Sequence, residues 1–213
     1  VWAHHMFVSC MNPKLAMPFS ITTILISVPF SIIIFCMFAS IRNSAMRLET
    51  PMLWALGFLA TFLIGGLTGI FLGSASSDIY LHGTYFVVAH FHYTFFPAVF
   101  FGGFAAIYFW YPKMFGRMYN ETLGKIHFWI TFIFFNATFW PIFRMGTAGM
   151  LRRIADPSQY RVLDQFKTLN VFVTVCSFIL IAGQIVFAVN FFRSMFKGRR
   201  AEENPFESTT LEW

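Results

Sequence analysis

Charge is what this sequence has least of. Only 11% of its 213 residues are Asp, Glu, Lys or Arg, whereas 57% are hydrophobic. A water-soluble domain carries about 25% charged residues. A soluble globular fold is therefore excluded, and the bilayer is the solvent for most of the chain. The positive excess of +6 is scattered over the loops and forms no stripe, which leaves no nucleic-acid surface. Cysteine is scarce too. Cys10, Cys36 and Cys176 form no CxxC pair, so no disulfide framework is implied. Cys36 and Cys176 lie in apolar runs and read as small hydrophobes. The chain starts VWAHHMF, without an initiator Met and without a basic, short-apolar leader. The expectation is a cleaved product or one piece of a larger or split polypeptide. Phenylalanine is the opposite extreme, at 31 residues, which is compatible with the codon bias of an organelle genome.

Five apolar segments are long enough to span a bilayer, near 16–41, 51–73, 84–112, 124–147 and 165–192; a spanning helix takes about 20 residues. This predicts an all-α integral membrane protein, a bundle of five transmembrane helices. Residues 1–197 form its membrane domain and 198–213 a polar C-terminal tail outside the membrane. If the first helix enters from side A, side B holds Arg42, Arg47, Lys113, Arg117, Lys125, Arg193, Lys197, Arg199 and Arg200. Side A holds Lys14, Arg144, Arg152, Arg153, Arg161 and Lys167. The positive-inside rule then puts side B and the C-terminus in the matrix or cytoplasm. The side-A cluster runs against that trend, as a local anion such as a cofactor carboxylate would explain. Gly65, Gly69 and Gly73 recur every four residues, with Gly66 beside them. Such spacing lets a neighbouring backbone approach closely, and it also suits a flat cofactor lying against the helix.

Histidines in a membrane point to function. The stretch LHGTYFVVAHFHY holds His82, His90 and His92. A helix advances about 100° per residue, so His90 and His92 point to opposite sides. They cannot bind one metal, but they can serve two centres separated by Phe91 and the helix backbone, which suits electron transfer between two flat cofactors. The plain alternative is two core histidines, each bonded to a neighbouring helix. Adjacent His4 and His5 can both reach one ion, and imidazole suits copper, iron or zinc; no third histidine lies near them in sequence. His82, with Asp78, reads either as interfacial polarity or as a site for a divalent ion or a cofactor carboxylate. Arg152 and Arg153 are suited to clamping carboxylates such as haem propionates. His127 reads as structural.

The segments VWAHHMF, ETPMLWALGF, GGLTGI, VVAHFHY, YPKMFGRMYNETLGKIHFW and TTLEW together resemble mitochondrial cytochrome c oxidase subunit I, of the haem–copper oxidase family. The likeness covers the C-terminal portion only, the last five of that family's twelve helices. It implies part of the catalytic subunit of a terminal respiratory oxidase (complex IV) in the mitochondrial inner membrane, with the C-terminus on the matrix side. In such an enzyme electrons from cytochrome c pass via a low-spin haem to a high-spin haem and copper centre that reduces dioxygen to water, coupled to proton translocation. The resemblance implies two haems, of haem a type, and one copper. His4 and His5 are then copper ligands, His90 the ligand of the high-spin haem iron, His92 a ligand of the low-spin haem iron, and Arg152 and Arg153 propionate partners. Phe91 stands between the haems. The implied partners are a companion chain carrying the N-terminal part, a copper-bearing subunit II, subunit III and accessory subunits, cytochrome c, and lipid. The third copper histidine, its cross-linked tyrosine, the second low-spin ligand and the acidic proton-input residue belong upstream of residue 1. Three departures stand out. The family reads His-Asp where this chain has His82-Gly83, which weakens a magnesium site at His82. The Thr and Lys of one proton route are Phe30 and Ile33, neither of which carries a proton. The proline before the arginine pair is Leu151. A quinol oxidase of the same superfamily, and a non-catalytic membrane scaffold derived from the fold, are the competing readings.

Overall fold

The computed structural model describes residues 2–211 and 213. In lipid every backbone polar group must be satisfied within the protein, which favours helices, and among the described residues only isolated β-bridges accompany them. Five helical segments are long and apolar enough to cross a membrane: Pro13–Ile41, Thr50–Gly73, Tyr85–Phe115, Glu121–Thr147 and Arg161–Lys197. They bear out the all-helical bundle of five spans.

Prolines account for the main differences from the expected spans. The first span is two helices, α1 (Pro13–Ile24) and α2 (Ser27–Ile41), broken at Leu25–Ile26. Pro29 has no N–H for the Leu25 carbonyl four residues back, and its ring crowds that carbonyl. The Val28 N–H donates to it instead, at 3.1 Å. After α3 (Thr50–Gly73) and the short α4 (Ala75–Leu81), the third span begins as α5 (Tyr85–Phe96), passes through a π turn at Pro97–Phe101 and continues as α6 (Gly102–Phe115). Pro97 likewise cannot bond the Tyr93 carbonyl, and the ladder widens by one residue there. The fourth span, α7 (Glu121–Thr147), starts at Asn120, whose side chain accepts from Leu123 N. The last, α8 (Lys167–Lys197), follows a 3-10 turn at Arg161–Phe166.

The bundle is held by α7 packing along α8 and α5, and by α3 packing along α5 and α6. Its core is aromatic, with Trp54, Tyr93, Phe101 and Phe135 fully buried. Interlocking rings bury much apolar area and fix their neighbours by edge and face preferences. His127 belongs to this core: it lies 3.1 Å from Tyr108 Oη and 3.0 Å from Gln184 Oε1. The outward faces of α2 and α8 present side chains such as Phe35, Phe178 and Phe196, as lipid contact requires.

The two ends of the bundle are closed by different contacts. On side A the turn before α5 is stapled to the loop after α7. Tyr85 N donates to Met150 O at 2.9 Å, Arg152 N donates to Gly83 O at 2.9 Å, and Thr84 bridges Leu151. On side B the tail does not extend away from the bundle. Ala201 N donates to Gly116 O at 3.0 Å, Arg47 meets Glu207 at 2.5 Å, and Phe206 stacks on Phe109 at 5.4 Å. A polar tail with two aromatic residues, Phe206 and Trp213, can bury those rings on α6 while its charges stay outside.

Candidate cofactor site

A cavity of about 500 Å³ opens at side A between α1, α3 and α5, within the usual range of small-molecule and cofactor sites, roughly 300–1,000 Å³. His4, His5 and His90 all line it, and so do Phe91, His82 and Arg152. The tertiary structure thus brings the HH pair and one member of H-x-H to a single space. His92 lies outside that lining, on the α7 side of α5, with its ring stacked on Phe139 at 4.0 Å and 18°. The opposite-face geometry expected from helix periodicity is what the helix shows.

Each helical histidine is oriented by a second bond. The Thr68 hydroxyl donates to backbone, lying 3.0 Å from Ile64 O and 2.9 Å from Gly65 O. It also lies 3.0 Å from His90 Nδ1, and while it donates to the helix carbonyls it can accept from that ring. His92 Nδ1–H donates to Val88 O at 2.8 Å. In the His92 ring the proton therefore sits on Nδ1 and the lone pair on Nε2, the tautomer that a metal ligand needs, and the Thr68 hydroxyl is placed to favour the same form in His90. Gly69 makes room for the His90 ring, since a Cβ there would lie 3.0 Å from His90 Cε1. The notch is otherwise occupied by protein: the α5 backbone at Tyr93 fills it at Gly65, and the Phe30 ring at Gly66. Helix packing accounts for those two glycines.

His4 and His5 sit on a 3-10 turn, Trp2–Met6. Their Nε2 atoms converge to 2.8 Å, and His4 Nδ1 lies 3.3 Å from Thr23 Oγ1. Two nitrogens each about 2.0–2.1 Å from one ion are about 2.9 Å apart at a right angle, the angle of tetragonal copper sites. Burial, and secondarily the neighbouring His5, lower the His4 pKa from its ordinary value, which keeps that ring in the neutral form a metal binds. Among the described residues no group of three or more His, Cys, Asp or Glu could hold a metal ion. The described residues thus offer one ion two imidazoles at this turn. The donor sets fit two haem irons and a copper at the level of one or two ligands each.

The His82 corner does not fit magnesium. Its Nδ1 is bonded to Asp78 Oδ2 at 2.9 Å, and Gly83, at φ +70°, offers no donor. Magnesium takes oxygen ligands in octahedral array, and the one nearby carboxylate is already engaged. Burial raises the Asp78 pKa, and the His82 bond opposes that rise. Arg152 lines the cavity, whereas Arg153 is exposed, at φ +67°, and does not. Phe30 and Ile33 part company as well: Phe30 lines the cavity and packs on Phe62 at 5.1 Å, while Ile33 faces outward at 56% exposure.

Sequence reasoning missed Thr68, Thr23 and Phe139 as supports of the histidines. Only Thr68 carried a signal, as the one hydroxyl inside the glycine notch GGLTGI. Replacing it with the near-isosteric valine removes the hydroxyl beside His90 Nδ1. If His90 holds a haem iron, Thr68→Val is expected to weaken haem retention there about 10–100-fold, measured in the assembled complex by haem titration and the reduced-minus-oxidised spectrum.

Comparison with known proteins places this geometry. The protein is 48% identical over 213 residues to cytochrome c oxidase subunit 1 of Synechocystis sp., covering all of this chain and 38% of that one. It is 48% identical over 216 residues to the Corynebacterium diphtheriae subunit, covering 37% of it, and 42% identical to that of Cereibacter sphaeroides. The chain thus spans under two-fifths of the length of these relatives, which are bacterial rather than mitochondrial. A solved heme-copper terminal oxidase dimer shares the fold, with a TM-score of 0.78 over 94% of this chain and 40% of that one, at 19% identity. With residues 1–179 matching the family profile described as cytochrome C and quinol oxidase polypeptide I, this chain belongs to the subunit I family of the heme-copper oxidases, as its C-terminal part.

Proposed function

We propose that the chain is the C-terminal part of the catalytic subunit of a terminal respiratory oxidase, taking electrons from cytochrome c and reducing dioxygen to water with proton translocation. The observation that carries this is the shared cavity: His4, His5 and His90 line one space while His92 stands on the other side of the same helix. His90 and His92 would hold the high-spin and low-spin haem irons through Nε2, and His4 and His5 a copper. Bound there, haem and copper supply the electron storage and dioxygen binding that side chains lack. The chain's own residues do the positioning. Val88 fixes the His92 tautomer and Thr68 favours the same form in His90, and Phe91 lines the cavity while its ring lies 4.3 Å from that of His92. Arg152 offers a guanidinium to a haem carboxylate at the cavity mouth, and Arg153 to a second one outside it. The Phe30–Phe62 contact closes one wall against water.

The remaining assignments belong to this reading. Residues 1–197 are the membrane domain and 198–213 the tail; a companion segment carrying the N-terminal part, a copper-bearing subunit II, subunit III and accessory subunits complete the complex. The haems are of a type. The membrane is the mitochondrial inner one, a reading that rests on the TTLEW tail; the side-B charge bias puts the C-terminus on its inner, matrix face. The family description covers quinol oxidases too, so the electron donor is the point to test. The purified complex is assayed for oxygen uptake with reduced cytochrome c and with a quinol, and for haem and copper content. Uptake with cytochrome c, with two haems present, is expected. Uptake with quinol alone would make it a quinol oxidase, and absence of haem and copper would make it a scaffold.

A further inference from the structure

Among the described residues, three arginines at the side-B end pair with no acidic side chain. Arg117, in the α6–α7 loop, and Arg200, in the tail, face each other across an antiparallel bridge. The bridge is fixed by Met118 N donating to Arg199 O at 2.7 Å and Ala201 N donating to Gly116 O at 3.0 Å. Directly opposed residues have Cβ atoms about 4.5–5.5 Å apart, and like charges there repel. Arg117 Nη1 donates to Gly198 O at 2.7 Å, which satisfies a hydrogen bond but no charge. Among the described residues the only ion pairs are Arg47–Glu207, His82–Asp78 and Lys125–Glu121. Glu202 and Glu203 follow close by in sequence, yet neither pairs with these arginines. The backbone therefore holds Arg117 and Arg200 together against their own repulsion, with Arg199 next to them in the tail.

Their position says what anion would suit them. The third span ends at Phe115 and the fifth at Lys197, so the arginines stand just beyond the hydrocarbon. Immediately below are outward-facing Met114 and Phe196, 52% and 70% exposed. A ligand matching both has a phosphate at the arginines and acyl chains along the two apolar side chains. We propose that the Arg117–Arg200 bridge, with Arg199, is a binding site for the headgroup of an anionic phospholipid in the side-B leaflet. Guanidinium pairs bind phosphate bidentately, and each such cation at a membrane surface adds about fivefold in affinity.

The test uses the whole complex, delipidated in neutral detergent and titrated with phosphatidylglycerol, with bound lipid counted by native mass spectrometry. Arg199 and Arg200 contact the fold through backbone atoms, so Arg199→Gln with Arg200→Gln spares the bridge. About 30-fold weaker retention of one phosphatidylglycerol is expected in the double variant, with phosphatidylcholine unaffected. Arg117→Lys, which keeps the charge, is expected to retain most of the binding. Equal retention of phosphatidylglycerol in wild type and double variant would overturn the proposal. So would full displacement by millimolar inorganic phosphate, which would mark a simple anion site. Thermal unfolding of each variant reports folding separately.

Discussion

With His92 and His90 assigned to separate haems as proposed, His92→Ala is expected to remove one haem and leave the other. The ring stands on the α7 side of α5, its Nδ1–H committed to Val88 O at 2.8 Å and its face on Phe139 at 4.0 Å. Alanine takes away the Nε2 lone pair, and no other histidine lies on that face. Loss of an outer partner of a metal ligand costs about 10–100-fold in affinity, so loss of the ligand itself is expected to exceed 100-fold. His90→Ala is the mirror experiment: it empties the cavity side, where His4 and His5 also converge. Haem extracted from the purified complex should fall from two to one in each variant, and the remaining reduced-minus-oxidised spectrum should differ between them. Identical residual spectra would mean that the two rings do not serve separate centres.

Gly146→Val should damage the whole side-A end. A Cβ on Gly146 would run into the backbone of Phe86 and Tyr85 at the start of α5. Backbone cannot turn aside as a rotamer can. Overpacking costs about 1–3 kcal/mol and more where relaxation is blocked. Relief requires moving the first turn of α5 away from α7, which also strains the Tyr85 N–Met150 O bond and the loop carrying Arg152. The expected result is a clearly lower unfolding midpoint together with loss of haem. Gly103→Ala is the contrast, since a Cβ there meets nothing within 4 Å; a change within about ±0.5 kcal/mol, or a small gain from helix propensity, is expected. Equal behaviour of the two variants would remove close approach as the reason for Gly146.

The number and order of spans were legible because lipid imposes length and apolarity on any segment that crosses it. The break at Leu25–Ile26 and the π turn at Pro97–Phe101 were written in Pro29 and Pro97, although hydropathy, which averages over a window, passes over them. The tail is a different case. Its charges marked it as outside the membrane, but whether Phe206 would find Phe109 depends on a surface built by another span.

The site divides in the same way. By itself the sequence determined that His90 and His92 face apart, because helix periodicity is a local property of the chain. It also determined that Gly83 brings no carboxylate and that Phe30 and Ile33 carry no proton. Only the tertiary structure decided that His4 and His5 share a cavity with His90 and not with His92, that the Thr68 hydroxyl meets His90 Nδ1, and that Arg152 lines the cavity while Arg153 does not. Those outcomes depend on how α1, α3 and α5 pack across sequence separations of 22 to 86 residues, and on which side of a reverse turn each arginine emerges. No local period encodes either.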